Sequence, residues 1–137
     1  MVDQKIISGI FTDFRNLYIG KSDMGILELC RKYENHPMLM GLFFGMEDAV
    51  KLNVPQAMKE IYDIYKEYRG RDLEDADWEE IVDRTRQMVK KRESNAWYTR
   101  VTLEMVNLLD SDAQERHRIA KEVEKEMEAA AKEMEAA

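Results

Sequence analysis

The side chains able to do chemistry are few and scattered. His36, His117 and Cys30 are the only residues of their kinds. Carboxylate-bridged metal centres in helical bundles use a glutamate three residues before a histidine on each of two helices. Positions 33 and 114 are Tyr33 and Gln114, so neither histidine completes that spacing. A cysteine-based zinc site would need a second thiol. Cys30 lies on the apolar stripe Ile26, Leu29, Cys30, Tyr33, which reads as a buried structural thiol. Gly41 and Gly45 lack the lysine and threonine of a phosphate loop. Their spacing of four puts them on one helical face, where a second helix can approach closely. No catalytic group, metal or cofactor is expected.

Two constellations are candidates for binding. The first is basic and aromatic: Arg84, Arg86, Lys90, Lys91, Arg92 and Arg100 with Trp97 and Tyr98, opposed locally by Asp83 and Glu93. Such a patch can receive an acidic protein, or track a phosphate backbone while stacking bases. The same residues also fit a solvated helix face paired with acidic neighbours. The second is apolar: Met38, Met40, Phe43, Phe44 and Met46, methionine-rich and therefore adaptable enough to wall a groove. Tyr62, Tyr65 and Tyr68, spaced by three, fit the edge of a core or an interface. The acidic groups of Leu73–Asp77 and of the C-terminal tail could imitate a phosphate array, although charge runs commonly serve solubility.

The elements that must position these groups are helices. The 137 residues include only two prolines and six glycines, and no run alternates with period two. A single all-α domain is expected, a bundle of about six helices (1–110) followed by a charged C-terminal helix (111–137). The apolar run Pro37–Met46 sits at its centre, because a helix apolar on all sides must be covered on all sides. Asp3 and Gly20 bound a first helix carrying Ile7, Ile10, Phe11 and Phe14. Ser22 caps a second, ending near Glu34, and the apolar helix follows from Pro37 to Leu52. A fourth runs from Val54-Pro55 to Gly70, and Asp77 with Glu80 forms a capping box for a fifth. After a break near Ser94-Asn95, a sixth carries Trp97 to Leu109.

Ser111 and Gln114 read as a second capping box opening the last helix. From Asp110 onward there are nine acidic and five basic residues and a seven-residue near-repeat, Glu126-Met-Glu-Ala-Ala and Glu133-Met-Glu-Ala-Ala. Ala120, Val123, Met127, Ala130, Met134 and Ala137 take heptad a and d positions, a weak seam that nonetheless permits a homo-oligomer. Nothing else in the chain repeats.

Charge decides among functions. A formal net charge of −7 opposes general affinity for nucleic acid or anionic membrane. No apolar run reaches the roughly 18 to 20 residues that span a bilayer. The start, Met1-Val2-Asp3-Gln4-Lys5, has no leader pattern, and a cytoplasmic protein is expected. The expected function is a small non-enzymatic module that binds another protein. The alternatives are an accessory or inhibitory protein of a nucleic-acid-handling machine, and a small-ligand binder or enzyme with a dispersed site.

Overall fold

The computed structural model describes residues 3–136. They form seven helices and, among the described residues, no strand. In chain order these are α1 (Gln4–Tyr18), α2 (Ile26–Lys32), α3 (Pro37–Phe43), α4 (Met46–Ala49), α5 (Val54–Tyr68), α6 (Asp75–Lys91) and α7 (Ala96–Ala136). The all-α class follows directly. Four helices make the centre: α3 and α5 each pack against α1 on one side and α7 on the other. Helices α4 and α6 attach to α7.

Local chemistry explains most boundaries. The Asp3 carboxylate accepts hydrogen bonds from the Lys5 and Ile6 amides and starts α1. Helix α1 ends in a Schellman motif: Gly20, at φ +78°, donates to the Leu17 carbonyl and Lys21 donates to Asn16. His36 precedes Pro37 and accepts from the Met38 amide through Nδ1 at 3.1 Å. Asn53 caps α5 by accepting from the Gln56 amide at 3.2 Å.

Several expectations need correction. The apolar segment is not one helix from Pro37 to Leu52. It breaks after Phe43, and Gly45 at φ +74° turns the chain into the short α4. A side chain at that φ would be strained, which is why glycine stands there. Gly41 and Gly45 therefore do not share a helical face. Of these two, Gly41 is the one that permits a close approach: a Cβ there would lie 3.0 Å from Cγ of Glu104 on α7. Helix α2 begins at Ile26 rather than near Ser22, whose hydroxyl instead accepts from the Met24 amide. The α6 capping interaction sits three residues earlier than expected, with the Glu74 amide donating to Asp77. Ser111 caps nothing, because α7 continues through it for 41 residues, about 60 Å. A serine on an exposed helix face is tolerated when tertiary packing carries the segment.

Two corners also share a geometry that the sequence conceals. Glu34-Asn35 after α2 and Glu93-Ser94 after α6 all have left-handed φ values of 52° to 55°. In each, the first residue donates to the carbonyl three back and the second to the carbonyl five back. A capping side chain follows, His36 in one corner and Asn95 in the other, where Asn95 accepts from the Tyr98 amide at 3.1 Å. Few side chains match across the corners, so no repeat is visible in the letters.

The core is continuous across all seven helices. Its largest fully buried side chains include Trp97, Tyr65, Tyr68, Tyr98 and Phe14. Trp97 is the keystone of the α3–α7 crossing. Helix α3 ends at Phe43, so its last carbonyls have no partner further along the helix. The indole Nε1–H of Trp97 donates to one of them, Leu42 O, at 2.8 Å. Asn95 makes the next link, donating to Asp48 O of α4 at 3.0 Å. Replacing Trp97 by phenylalanine leaves a buried carbonyl unpaired and a gap beside it. The Trp97→Phe variant should lose about 2 kcal/mol in urea unfolding; a loss under about 0.5 kcal/mol would contradict this role.

The His36 cap carries a pH dependence. Burial lowers the imidazole pKa below its ordinary 6.5, against a smaller upward pull from Glu104. Protons then bind more readily to the unfolded chain, so stability rises with pH in this range. The contribution is whole above the ordinary value and is lost as pH falls below it, since a protonated Nδ1 cannot accept from Met38. The urea midpoint should drop between about pH 7.5 and pH 5.5, and His36→Asn, which keeps a capping acceptor, should shrink that drop. Equal drops in both proteins would refute the assignment.

Candidate functional site

Three of the six cations of the basic stretch are engaged within the chain. The Arg84 guanidinium donates to Glu67 at 2.6 Å and to the Tyr68 hydroxyl at 3.0 Å, and these contacts raise its pKa. Arg92 pairs with Glu60 and lies over the Tyr98 ring. The Tyr98 hydroxyl donates to the same Glu60 at 3.1 Å, and burial pushes its pKa up. Arg100 stacks 4.2 Å from the centroid of the exposed Phe44 ring. Trp97 and Tyr98 are core residues, unavailable for stacking on a ligand. Arg86, Lys90 and Lys91 remain exposed. Arg86 and Lys90 border a shallow apolar trough between α6 and α7, beside Val89, Leu103 and Val106.

The methionine-rich segment turns mostly inward. Met38 is fully buried, and Met40, Phe43 and Met46 pack against the core from its edge. Phe43 meets Phe14 edge-on at 5.1 Å. Phe44 alone faces outward, under Arg100. The break at Gly45 explains this, since it sends the two halves of the run in different directions. Of the tyrosines, Tyr65 and Tyr68 are buried, and burial raises the Tyr65 hydroxyl to about 12. Tyr62 is half-buried.

The surface that stands out lies where Tyr62 does, between α1 and α5. Gln4 at the start of α1 reaches Gly70 beyond the end of α5, so the two helices run antiparallel. Between them is a cleft of about 630 Å³ with an apolar floor of Phe11, Met58, Pro55 and Tyr62. The Phe11 and Tyr62 rings meet at 5.2 Å between centroids, tilted by 45°. The cleft continues past Ser8 and Thr12 toward Lys5, Lys32 and Arg69. From Pro55 to Arg69 it follows α5 for about 21 Å.

Its rim is basic. Lys5, Arg15, Lys32, Lys59, Lys66 and Arg69 line the cleft and its extension, against Asp13 and Asp63. This is a net positive surface on a chain of net charge −7. Asp13 is committed already: it accepts from Lys32 Nζ at 2.8 Å and from the Tyr33 hydroxyl at 2.6 Å. Burial raises the Asp13 pKa, but those two hydrogen bonds outweigh it and the net shift is downward. Arg69 is pinned over the Tyr65 ring and donates to the Tyr62 hydroxyl at 3.2 Å. The rest of the rim (Lys5, Arg15, Lys59 and Lys66) is exposed. An apolar floor between cationic walls suits an amphipathic helix with carboxylates beside its apolar stripe.

None of the sequence-derived candidates named this cleft. Its cations come from α1, α2 and α5, far apart in sequence, so no local charge run betrays them. The nearest signal was the tyrosine series, of which Tyr62 alone lies in the cleft. Among the described residues no cluster of three or more histidine, cysteine, aspartate or glutamate side chains is placed to hold a metal ion, and no helix is long and apolar enough to cross a membrane. Comparison with family models, curated proteins and solved structures finds no match to the chain.

Proposed function

We propose that this chain is a non-enzymatic helical interaction module that binds another protein through the α1–α5 cleft, and that its ligand is an amphipathic helix with acidic flanks. The observation that carries the reading is the charge inversion: a strongly acidic chain presents its cations around an apolar cleft. Burying the floor residues supplies affinity in proportion to apolar area, at roughly 25 cal/mol per Å². The lysine and arginine rim supplies orientation and encounter rate more than affinity. A nucleic-acid ligand is less well served, because the aromatic floor is recessed and Trp97 and Tyr98 are core residues. The engagement of Arg84, Arg92 and Arg100 inside the chain further weakens the case for a phosphate-tracking surface there.

Photo-crosslinking tests this reading. A benzoylphenylalanine in place of the exposed Thr12, in the full chain, should form protein adducts in a lysate of the source organism. The same probe in place of exposed Glu47 on α4 should form none. Adding Lys59→Glu and Lys66→Glu should reduce the Thr12 adducts at least tenfold. Adducts to nucleic acid alone, or no adducts above the Glu47 control, would overturn the proposal.

A further inference from the structure

The far end of α7 is a helix without a partner. From Ala120 to Glu135 every residue is exposed, including Val123, Met127 and Met134. Because α7 is continuous, this segment cannot turn back onto its own bundle. It nevertheless has a built face. At about 100° per residue, Ala120, Val123, Met127, Ala131 and Met134 share one stripe. The same arithmetic puts Glu124, Glu128 and Glu135 along one side of it and Glu126 and Glu133 along the other. Lys125, Lys132 and Glu122 fall on the opposite face. Beside the stripe five carboxylates thus stand against the single lysine Lys121.

This is the ligand chemistry that the α1–α5 cleft calls for, and the dimensions agree. Ala120 to Met134 spans about 21 Å, the same as the cleft from Pro55 to Arg69. We infer that the occupant of the cleft is the α7 extension of a second copy of this chain, with Met127 and Val123 over Phe11, Met58 and Tyr62 and the flanking glutamates facing Lys59, Lys66 and Arg15. The inference rests on the reading of the cleft as a helix-binding site. Mutual exchange of extensions closes the assembly at two copies, each supplying one helix and one cleft. Pairing of two extensions with each other is the competing arrangement. Its seam holds mainly alanine and methionine, and the adjoining Glu124, Glu126 and Glu133 would lack the lysine partners that fix coiled-coil pairing.

A charge swap in the full-length chain separates these arrangements by sedimentation velocity. The unaltered chain should sediment at twice its 16.2 kDa mass. Lys59→Glu with Lys66→Glu should weaken the dimer at least tenfold, and so should Glu124→Lys with Glu128→Lys in a separate chain. Mixing the two altered chains should restore a dimer, because each reversed cleft then meets a reversed extension. Misfolded chains could not produce that recovery. A dimer insensitive to the cleft variant but lost in the extension variant would mean that extensions pair with each other, and would overturn the inference. So would a monomeric unaltered chain, or two weakened variants that fail to recover on mixing. Protein adducts at Thr12 with a different partner would leave the cleft's function standing while removing the second copy as its occupant.

Discussion

The covering of α3 is the constraint on which the rest of the bundle depends. Met38, Leu39 and Leu42 have no exposure to solvent, and Gly41 lets the Glu104 side chain of α7 lie directly against the helix. A helix of seven residues cannot stand alone in water, since nucleation costs more than so few hydrogen bonds return. It survives because α1 lies on one side and α7 on the other, with Trp97 satisfying the Leu42 carbonyl at its frayed end. That single crossing fixes the axis of α7, and the axis of α7 determines where its last four turns emerge from the bundle.

The same packing leaves α1 and α5 with one side each uncovered. Helix α1 spends its apolar face on α3 and α5, and α5 spends its own on α1 and α7; what remains between them is a trough with Phe11, Met58 and Tyr62 at the bottom. The exposed edges of two antiparallel helices are where long polar side chains belong, and here those are mostly cations. The negative charge of the chain is correspondingly concentrated elsewhere, notably on α7 beyond the bundle. Cleft and extension are thus opposite in charge and similar in length, and they stand at separate places on one molecule. A heterologous pair of surfaces of this kind cannot be satisfied within the chain that carries both.

Local signals in the sequence revealed local structure. The Asp3 cap, the Gly20 terminator, the break at Ser94-Asn95 and the prolines at 37 and 55 mark ends that depend only on adjacent residues, and α1 and α5 follow from them. Other boundaries are set by tertiary packing, which no local signal carries. Gly45 interrupts an apolar run that reads as one helix, and the interruption is stabilised by Asn95 bonding to Asp48 O, 47 residues away. Ser111-Asp112 resembles a helix start, yet Asp112 is buried and holds Arg116 at 3.0 Å within an unbroken helix. The cleft was illegible for a stronger reason: no segment contains it. The basic run at 84–92 is legible because it is local in sequence, whereas the pairing of Arg84 with Glu67 and of Arg92 with Glu60 depends on the fold.

In the proposed dimer the α1–α5 cleft receives the acidic stripe of α7 from another copy. Paramagnetic relaxation tests it directly. Isotope-labelled chain would be mixed with unlabelled chain carrying Cys30→Ser and a nitroxide at Lys132→Cys, on the face turned away from the stripe. Broadening of the Thr12, Lys59 and Tyr62 amides, with Glu79 on α6 unaffected, is the predicted result. Broadening confined to residues 123–134, or found nowhere, would contradict it.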